Sequence, residues 1–252
     1  MLSGNKFYHS HIRKAIISFG SLFNNIHIDR VDSTGDTVQT LKVPLTYGPK
    51  SKILARVVAQ PNLEDRPYKM VLPAMSFEIT GFDYDPDRKF NNLNQSRVPN
   101  TPTTNKTQFA PAPWDMQIQL SVITKNQDDG LRIVEQILPY FNPAYSVVIN
   151  DIPELGIQRN LPIQLVGVNF DDNYEGDVGE TRYIIWTLAF NLKLNFYGPV
   201  STQAIVKSAT VTTHITSDTT VVSGETYNVQ VDPIDAEITD NWDFLETFDI
   251  TY

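Results

Sequence analysis

The histidines are the first residues to weigh for chemistry, because imidazole serves both as a general base and as a metal ligand. The chain has four of them: His9, His11, His27 and His214. His9 and His11 are close enough along the chain to share a metal ion, but two ligands without a nearby third do not make a site. We therefore expect no metal site, and we assign this pair to the polar surface at the start of a helix. The chain has no cysteine, which excludes disulfides, thiolate metal sites and cysteine nucleophiles.

Two carboxylate-rich turns resemble the opening of a calcium-binding loop. Asp83, Asp85 and Asp87 have the required spacing. Arg88 stands at the sixth position, where such a loop needs glycine, and Asn94 stands at the twelfth, where it needs glutamate. The second turn fails at its twelfth position, which is an arginine: Asp171, Asn173, Glu175, Gly176 and Arg182. We therefore interpret both runs as polar turns.

Catalytic motifs are absent from the sequence. The glycines occur singly, so there is no phosphate-binding loop, dinucleotide fingerprint or nucleophile elbow. The 29 acidic residues offer many carboxylate pairs for acid–base catalysis, but nothing in the sequence selects one pair. The residues therefore predict a protein that is not an enzyme and that needs no cofactor.

The clearest structural pattern lies in residues 114–143. Apolar side chains occupy alternate positions in its first part: Trp114, Met116, Ile118, Leu120 and Val122. This period of two predicts a strand with one buried face. The spacing then becomes helical, with an apolar stripe made of these residues: Leu131, Ile133, Val134, Ile137, Leu138 and Phe141. A strand joined closely to a helix that lies back across the sheet predicts the centre of an α+β core.

Other segments add elements to that core. Apolar residues at helical spacing predict helices over residues 8–26 and 51–60. Strands are predicted over these ranges: 26–31, 38–47, 70–82, 161–170 and 184–196. The last is the longest, with one face apolar throughout and the other apolar only at its beginning. We predict an α+β fold in which helices pack on a central, mostly antiparallel sheet, with a long inserted arm and a β-rich, acidic C-terminal extension.

Three segments depart from the core pattern. Residues 83–113 are rich in Asn, Thr and Pro and lack sustained periodicity, which is unusual for a loop inside a compact domain. They are either an arm that reaches a neighbouring molecule or a structureless loop. Residues 201–231 are rich in Thr and Val and predict two or three narrow strands, whereas residues 232–252 form an acidic, aromatic tail. The predicted organisation is a core domain over residues 1–200 that carries the arm, followed by the β-rich extension and the tail.

The excess negative charge is concentrated at the C-terminal end. Residues 208–252 contain no Lys or Arg and nine acids: Asp218, Glu225, Asp232, Asp235, Glu237, Asp240, Asp243, Glu246 and Asp249. The net charge of the chain is −9, so residues 1–207 are neutral as a whole. This distribution argues against nucleic-acid binding, which needs clustered Lys and Arg, and it favours contact with a basic protein surface.

Hydropathy gives no indication of a membrane. No apolar run approaches the roughly 20 residues that a membrane-spanning helix needs. The first residues also lack the apolar stretch of a secretory signal. We therefore expect a soluble protein that is made in the cytoplasm and does not bind membranes.

Five segments, in a fixed order, carry a resemblance to a known family. They are FYHSHIRKAIISFGSLFNNIHIDR, KVPLTYGPKSKIL, FDYDPDRKFNNLNQ, QDDGLRIVEQILPYFNP and TRYIIWTLAFNLKLNFYGPV, and together they span residues 6–200. In these segments the chain resembles the tail sheath terminator, also called the tail sheath stabiliser and completion protein, of T4-like contractile-tailed bacteriophages. The last fifty residues have no counterpart in this resemblance.

The resemblance implies a structural protein of the virion at the junction of tail and neck. Such a protein would form a homohexameric ring at the head-proximal end of the tail. It would bind the last row of the tail sheath protein and the tail tube terminator, and it would offer neck and head-completion proteins an attachment surface. Assembled in the host bacterial cytoplasm, it would act mechanically, ending sheath polymerisation and holding the extended sheath on the tube.

A ring requires that a surface patch meet a different patch on the next subunit. Six residues of the arm and the tail are candidates for such protein contacts: Arg88, Lys89, Phe90, Trp242, Phe244 and Phe248. The alternative is that the charges are solvated and the aromatic rings pack on their own domain. Two other functions stay open at this point: a tail tube terminator or other tail or baseplate structural protein, and a carbohydrate- or ligand-binding module.

Overall fold

The computed structural model describes these residues: 6–31, 37–58, 72–101, 104–173, 183–217, 220–232, 234 and 243–251. Strands make up 60% of the structure and helices 19%. The fold is therefore mostly β with several separate sheets, and the predicted α+β class is wrong. The prediction failed because segments without an alternating apolar pattern also form strands, so that the helices are a smaller part of the fold than the sequence indicated.

Three α-helices and fourteen strands lie in the described ranges. The helices are α1 (His11–Phe23), α2 (Lys50–Val58) and α3 (Gln127–Ile137). The strands are β1 (His27–Val31), β2 (Thr37–Lys42), β3 (Leu45–Tyr47), β4 (Ala74–Tyr84), β5 (Gln95–Thr101), β6 (Thr104–Phe109), β7 (Ala112–Thr124), β8 (Ala144–Ile152), β9 (Ile157–Asn173), β10 (Tyr183–Phe196), β11 (Ser201–Ala204), β12 (Ser208–Ser217), β13 (Thr220–Asp232) and β14 (Asp243–Thr251).

The chain folds as two compact units. The core unit comprises Tyr8–Lys89 and Pro111–Phe196, and the β unit comprises Met1–Phe7, Phe90–Ala110 and Tyr197–Tyr252. The middle segment of the β unit is thus an insertion between β4 and β7 of the core unit. It contributes β5 and β6, and β6 pairs with β11 from the later part of the chain, so the β unit is assembled from distant segments.

A six-stranded sheet forms the centre of the core unit, in the order β3-β4-β7-β10-β9-β8. The β3–β4 pair is parallel and the other pairs are antiparallel. The strands predicted from alternation over 114–122 and 184–196 are confirmed as β7 and β10, which lie side by side in the middle of the sheet. Their register places Leu120 opposite Leu188, so the apolar residues of both strands share one face.

Helices α1 and α3 cover this apolar face. Phe19 of α1 lies 5.3 Å from the Phe77 ring and 5.2 Å from the Phe190 ring, measured between ring centroids. In α3, Ile133 and Ile137 are buried in the same cluster. Both helices were predicted from their apolar stripes and are confirmed, with shorter bounds than expected. No helix in the described ranges is long and apolar enough to cross a membrane.

Gly130 allows α3 to approach the sheet closely. A Cβ atom at this position would lie 2.7 Å from Nε1 of Trp186 in β10 and 3.3 Å from Oγ1 of Thr124 in β7. The Trp186 ring packs on Phe170 with 4.6 Å between ring centroids, which limits its freedom to move aside. A glycine is therefore required where the helix passes over these two strands.

The opposite face of the sheet is covered at one end by α2. Ile53 of that helix packs with Leu72, Ala74, Ile123 and Ile185 in a second buried cluster. This confirms that β10 is apolar on its second face at its beginning. Towards the end of β10 the same face becomes polar and carries the charged side chains described below.

The β unit contains two three-stranded sheets among its described residues, in the orders β11-β6-β5 and β12-β13-β14. Residues 83–113 show no sustained periodicity in the sequence, yet β5 and β6 form an antiparallel hairpin there, so the alternative of a structureless loop is wrong. The side chains of β5 are all exposed or half-buried, so that strand has no apolar alternation from which it could be predicted.

Candidate interaction surfaces

Four charged side chains form a cluster at the polar end of the core sheet: Asp85, Arg88, Asp115 and Lys193. Arg88 Nε donates to Asp85 Oδ2 over 2.6 Å, and its Nη2 donates to Asp115 Oδ1 over 2.9 Å. Lys193 Nζ donates to the same carboxylates, over 3.1 Å to Asp85 Oδ2 and 2.6 Å to Asp115 Oδ2. Because Asp115 and Lys193 are direct partners across the β7–β10 pair, the strand register itself builds half of this charged cluster.

The electrostatics of the charged cluster keep Asp85 and Lys193 ionised. The hydrogen bond from Arg88 holds the pKa of Asp85 well below its usual range; burial acts in the opposite direction, and the contacts with Lys193 lower the pKa further. Burial lowers the pKa of Lys193, but its hydrogen bonds to Asp115 and Asp85 outweigh this and raise it. At neutral pH Asp85 is a carboxylate and Lys193 an ammonium group, so the cluster is suited to clamping elements together rather than to exchanging protons.

Arg88, one of the six predicted contact residues, is engaged within the core unit. Besides its two carboxylate partners, its guanidinium donates to Asn195 Oδ1 and to the carbonyl oxygen of Trp114, each over 3.3 Å. Lys89 and Phe90 follow it, with an exposed side chain at Lys89 and 47% exposure at Phe90. Of the three candidates among residues 83–113, these two are the more available to a partner.

The β12-β13-β14 sheet has two chemically different faces. Residues directly opposite each other in paired strands point to the same face, and the register aligns Val211, Tyr227 and Phe248 across the three strands. One face therefore carries seven apolar or aromatic side chains among the described ones: Ala209, Val211, Tyr227, Val229, Val231, Phe244 and Phe248. We call it the aromatic face. The other face carries hydroxyl and amide groups, including the hydrogen-bonded pair Thr210 and Asn228.

Two of the predicted contact residues lie on the aromatic face. Phe244 is 56% exposed and Phe248 is 58% exposed. Tyr227, which lies in the segment predicted to form narrow strands, has its ring 6.5 Å from that of Phe248. The third aromatic candidate of the tail, Trp242, lies outside the described residues. Tyr227 could have been found from its alternation with Val229, which places it on the same face of β13.

Glu246 also lies on the aromatic face. Burial and a hydrogen bond to Glu246 raise the pKa of Tyr227, so its hydroxyl stays protonated at neutral pH. The aromatic face thus combines aromatic rings with the carboxylate of Glu246, which the Tyr227 hydroxyl holds by a hydrogen bond. This combination suits a partner surface with both apolar and basic groups.

A second charged group joins α1 to the edge of the core sheet, and sequence reasoning missed it. Asp151 Oδ2 accepts a 2.8 Å hydrogen bond from Arg159 Nε, and its Oδ1 lies 3.5 Å from Nδ1 of His11. His11 is 6% exposed, so its assignment to the polar surface is wrong. Lys14 Nζ donates to the carbonyl oxygen of Asp151 over 2.9 Å, and Arg159 Nη1 donates to that of Lys193 over 2.9 Å. These residues are far apart in sequence, so no local pattern could have grouped them.

The Asp151 group is an ion-pair contact within the fold. Burial raises the pKa of Asp151, but the hydrogen bonds from His11 and Arg159 outweigh it and lower the pKa overall. Within the described ranges no three or more His, Cys, Asp or Glu side chains lie close enough together to hold a metal ion. The arrangement therefore serves to join α1, β8 and β9.

A cleft of about 450 Å³ lies between the end of α1, the end of α3 and the start of β8. Phe23, Ile137, Tyr140 and Tyr145 line it, and Glu135 is the charged residue among its walls. None of the six predicted contact residues lines this cleft.

The described residues combine an ion-pair cluster, a packed core unit and an exposed aromatic sheet face. Comparison with known families gives the class of protein: residues 6–251 match the model of the T4-like virus Myoviridae tail sheath stabiliser. The chain belongs to this family. It is a structural protein of a contractile phage tail.

A relative in a well-known phage supports the same assignment. The chain is similar to the tail completion protein gp15 of Enterobacteria phage T4, with 32% identity over 203 residues. The matched region covers 77% of this chain and 73% of the T4 protein. The resemblance found in the sequence is thereby confirmed, and the family match extends beyond residue 200 into the β12-β13-β14 sheet.

Proposed function

We propose that the protein forms a homohexameric ring at the head-proximal end of a contractile tail, where it ends the sheath and stabilises it on the inner tube. The observation that carries this proposal is the family match over residues 6–251, nearly the whole chain. The name of the T4 relative, a tail completion protein, supports a role at the end of tail assembly.

The core unit supplies a body suited to a mechanical role. Its central sheet is packed by α1 and α3 on one face, while the Asp151 group and the charged cluster join elements that are distant in sequence. Close-packed interiors have low compressibility and transmit strain. Such a body transmits load between the sheath and the neck with little deformation of its own.

A closed ring needs two different patches on each subunit. Lys89 and Phe90, with exposed side chains next to the charged cluster in sequence, are our candidates for the contact between subunits. Arg88 acts through the charged cluster, by fixing the turn that carries them. Phe244, Phe248 and Trp242 are assigned to contacts with another protein.

The partners in this proposal are the tail sheath protein, the tail tube terminator and the neck or head-completion proteins. The protein would be assembled in the host bacterial cytoplasm and would lie in the virion at the tail–neck junction. Its action would be the holding of an extended sheath, with no reaction catalysed, no nucleic acid read and no membrane bound.

Binding of the purified full-length protein to polymerised sheath and to naked tube tests this function. The two polymers are incubated separately with the protein, sedimented, and imaged by negative stain after gold labelling of the protein. We expect label at one end of the sheath. Label on tube ends alone would instead indicate a tube terminator, and absence of label on both polymers would contradict the proposal.

A further inference from the structure

The aromatic face of the β12-β13-β14 sheet is uncovered over its described residues. Exposure is 57% at Val211, 36% at Tyr227, 56% at Phe244 and 58% at Phe248. Where the side chains of these three strands are described, over residues 208–213, 224–232 and 243–249, none is buried. An antiparallel sheet with one polar and one apolar face ordinarily packs its apolar face against another layer of structure. The aromatic face is therefore suited to pack against a layer that another protein supplies.

The surroundings of the aromatic face are acidic. Of the five exposed carboxylates on β13 and β14, Glu225 and Glu246 lie on the aromatic face, whereas Asp232, Asp243 and Asp249 lie on the other face of the same sheet. Residues 208–252 contain no Lys or Arg, and Lys207, which lies beside β13, donates its Nζ to the carbonyl oxygen of Ile234 over 3.2 Å. A partner that covers the aromatic rings must therefore also accommodate the carboxylates of Glu225 and Glu246 on the same face.

We propose that the aromatic face is the docking surface for a different protein of the tail, one that presents an apolar patch bordered by lysine and arginine side chains. Tyr227, Phe244 and Phe248 are the anchors, and Glu225 and Glu246 pair with the basic border. The inference rests on the proposed function, because the partner is taken to be a component of the same tail.

Charge complementarity selects this partner over a second copy of the chain. Two aromatic faces packed on each other would bring their glutamates together without a compensating base, which is unfavourable. The rest of the chain, residues 1–207, has 20 acids and 20 bases and therefore no net positive charge to offer. A different protein with an apolar patch and a basic border can cover the aromatic rings and pair with the carboxylates at the same time.

Photocrosslinking in assembled virions tests the identity of the partner. Phe248 is replaced by p-benzoylphenylalanine in the full-length protein, which is then supplied to phage that lack their own copy. Leu245, three residues away in β14 and 43% exposed on the opposite face, receives the same replacement as the matched control. Crosslinked peptides from irradiated virions are identified by mass spectrometry.

The expected crosslink from position 248 joins a different tail protein at a segment that contains lysine or arginine, with a yield at least tenfold above that from position 245. Crosslinks to a second copy or to the same chain would overturn the inference, and so would equal yields from both positions or no crosslink at 248. Absence of the unsubstituted protein from virions would instead contradict the proposed function, so the two failures are distinguishable.

Retention of the protein on purified tails, measured against salt, tests the charge part of the inference. Rim ion pairs are screened by salt, so the full-length protein should dissociate more readily as salt rises. Replacing both glutamates (Glu225→Gln and Glu246→Gln) should weaken retention about fivefold at low salt and flatten the salt dependence. The matched change on the other face, Asp249→Asn, should leave retention within twofold. If retention is independent of salt and unchanged by the glutamine replacements, the inference that the partner presents a border of lysine and arginine side chains is wrong.

Discussion

At the scale of single residues, the buried carboxylate of Asp151 makes the stability of the fold depend on pH. Burial raises its pKa, but hydrogen bonds from His11 and Arg159 outweigh this, so its pKa in the folded state lies below the ordinary value of 3.8. Such a group stabilises the fold at pH above its unfolded pKa, and the stabilisation is lost as pH falls through the folded pKa. Asp85 acts in the same direction, since its pKa is also lowered.

We therefore predict that the free energy of unfolding of the wild-type protein falls between about pH 5 and about pH 2. Asp151→Asn should lower it by about 2 to 3 kcal/mol at neutral pH, because Arg159 loses its charged partner. The variant should also lose less stability in acid than the wild type. Urea unfolding at a series of pH values measures both effects, and an unchanged acid slope in the variant would show that Asp151 does not titrate as described.

The charged cluster gives a second prediction at the same scale, with two neighbouring residues as variant and control. Arg88→Met should lower the free energy of unfolding by about 3 kcal/mol, because it leaves Asp85 and Asp115 with Lys193 as their remaining cation. Lys89→Met, one residue away and exposed, should change it by less than about 0.5 kcal/mol. Urea unfolding at neutral pH compares the two, and equal losses would mean that the Arg88 contacts do not stabilise the core unit.

At the scale of elements, what sequence reasoning found depended on burial. β7 and β10 bury one whole face and show clean alternation, and α1 and α3 bury one stripe, so all four were located. β5 buries none of its side chains and was taken for irregular chain. The aromatic residues of the tail were recognised individually, but Phe244 and Phe248 share one face with Tyr227 only because β14 pairs with β13, and a pairing between strands cannot be read from local pattern. The predicted fold class was α+β instead of mostly β because several of the strands were not recognised in the sequence.

Gly130 carries a prediction at this scale, because it sets the distance between α3 and the sheet. Alanine is about 1 kcal/mol better than glycine in a helix interior, yet its Cβ would lie 2.7 Å from Trp186 Nε1. We predict that Gly130→Ala lowers the free energy of unfolding by about 1 to 3 kcal/mol, as overpacking does. Thermal and urea unfolding measure the change.

The companion variant isolates the cause. Adding Trp186→Phe to Gly130→Ala removes the indole nitrogen that the new methyl group would meet, so part of the lost stability should return relative to the sum of the two single variants. If the losses in unfolding free energy of the two single variants simply add in the double variant, the close approach of α3 to Trp186 does not explain why position 130 is a glycine.

At the scale of the whole molecule, net charge and the two proposed kinds of protein contact are distributed in the same way along the chain. Residues 1–207 are neutral, whereas residues 208–252 carry the whole excess of negative charge together with the aromatic face. A neutral body is free to associate with its own copies, whereas like charges discourage self-association through the acidic strands. The two kinds of contact in the proposal, ring formation and docking of a basic partner, should therefore be separable by mutation.

The last prediction uses that separation. Light scattering of the full-length protein across a concentration series, with negative-stain images, should give rings of six subunits at high concentration. Tyr227→Ser combined with Phe248→Ser should leave this mass unchanged, since the aromatic face contacts a different protein, while retention on purified tails should fall at least tenfold. Leu245→Ser, on the opposite face of β14, should change neither measurement. The contrary result would be a double variant that no longer forms rings but is still retained on purified phage tails. The aromatic face would then be the contact between subunits, and the charge argument that assigns it to a basic surface of another protein would be wrong.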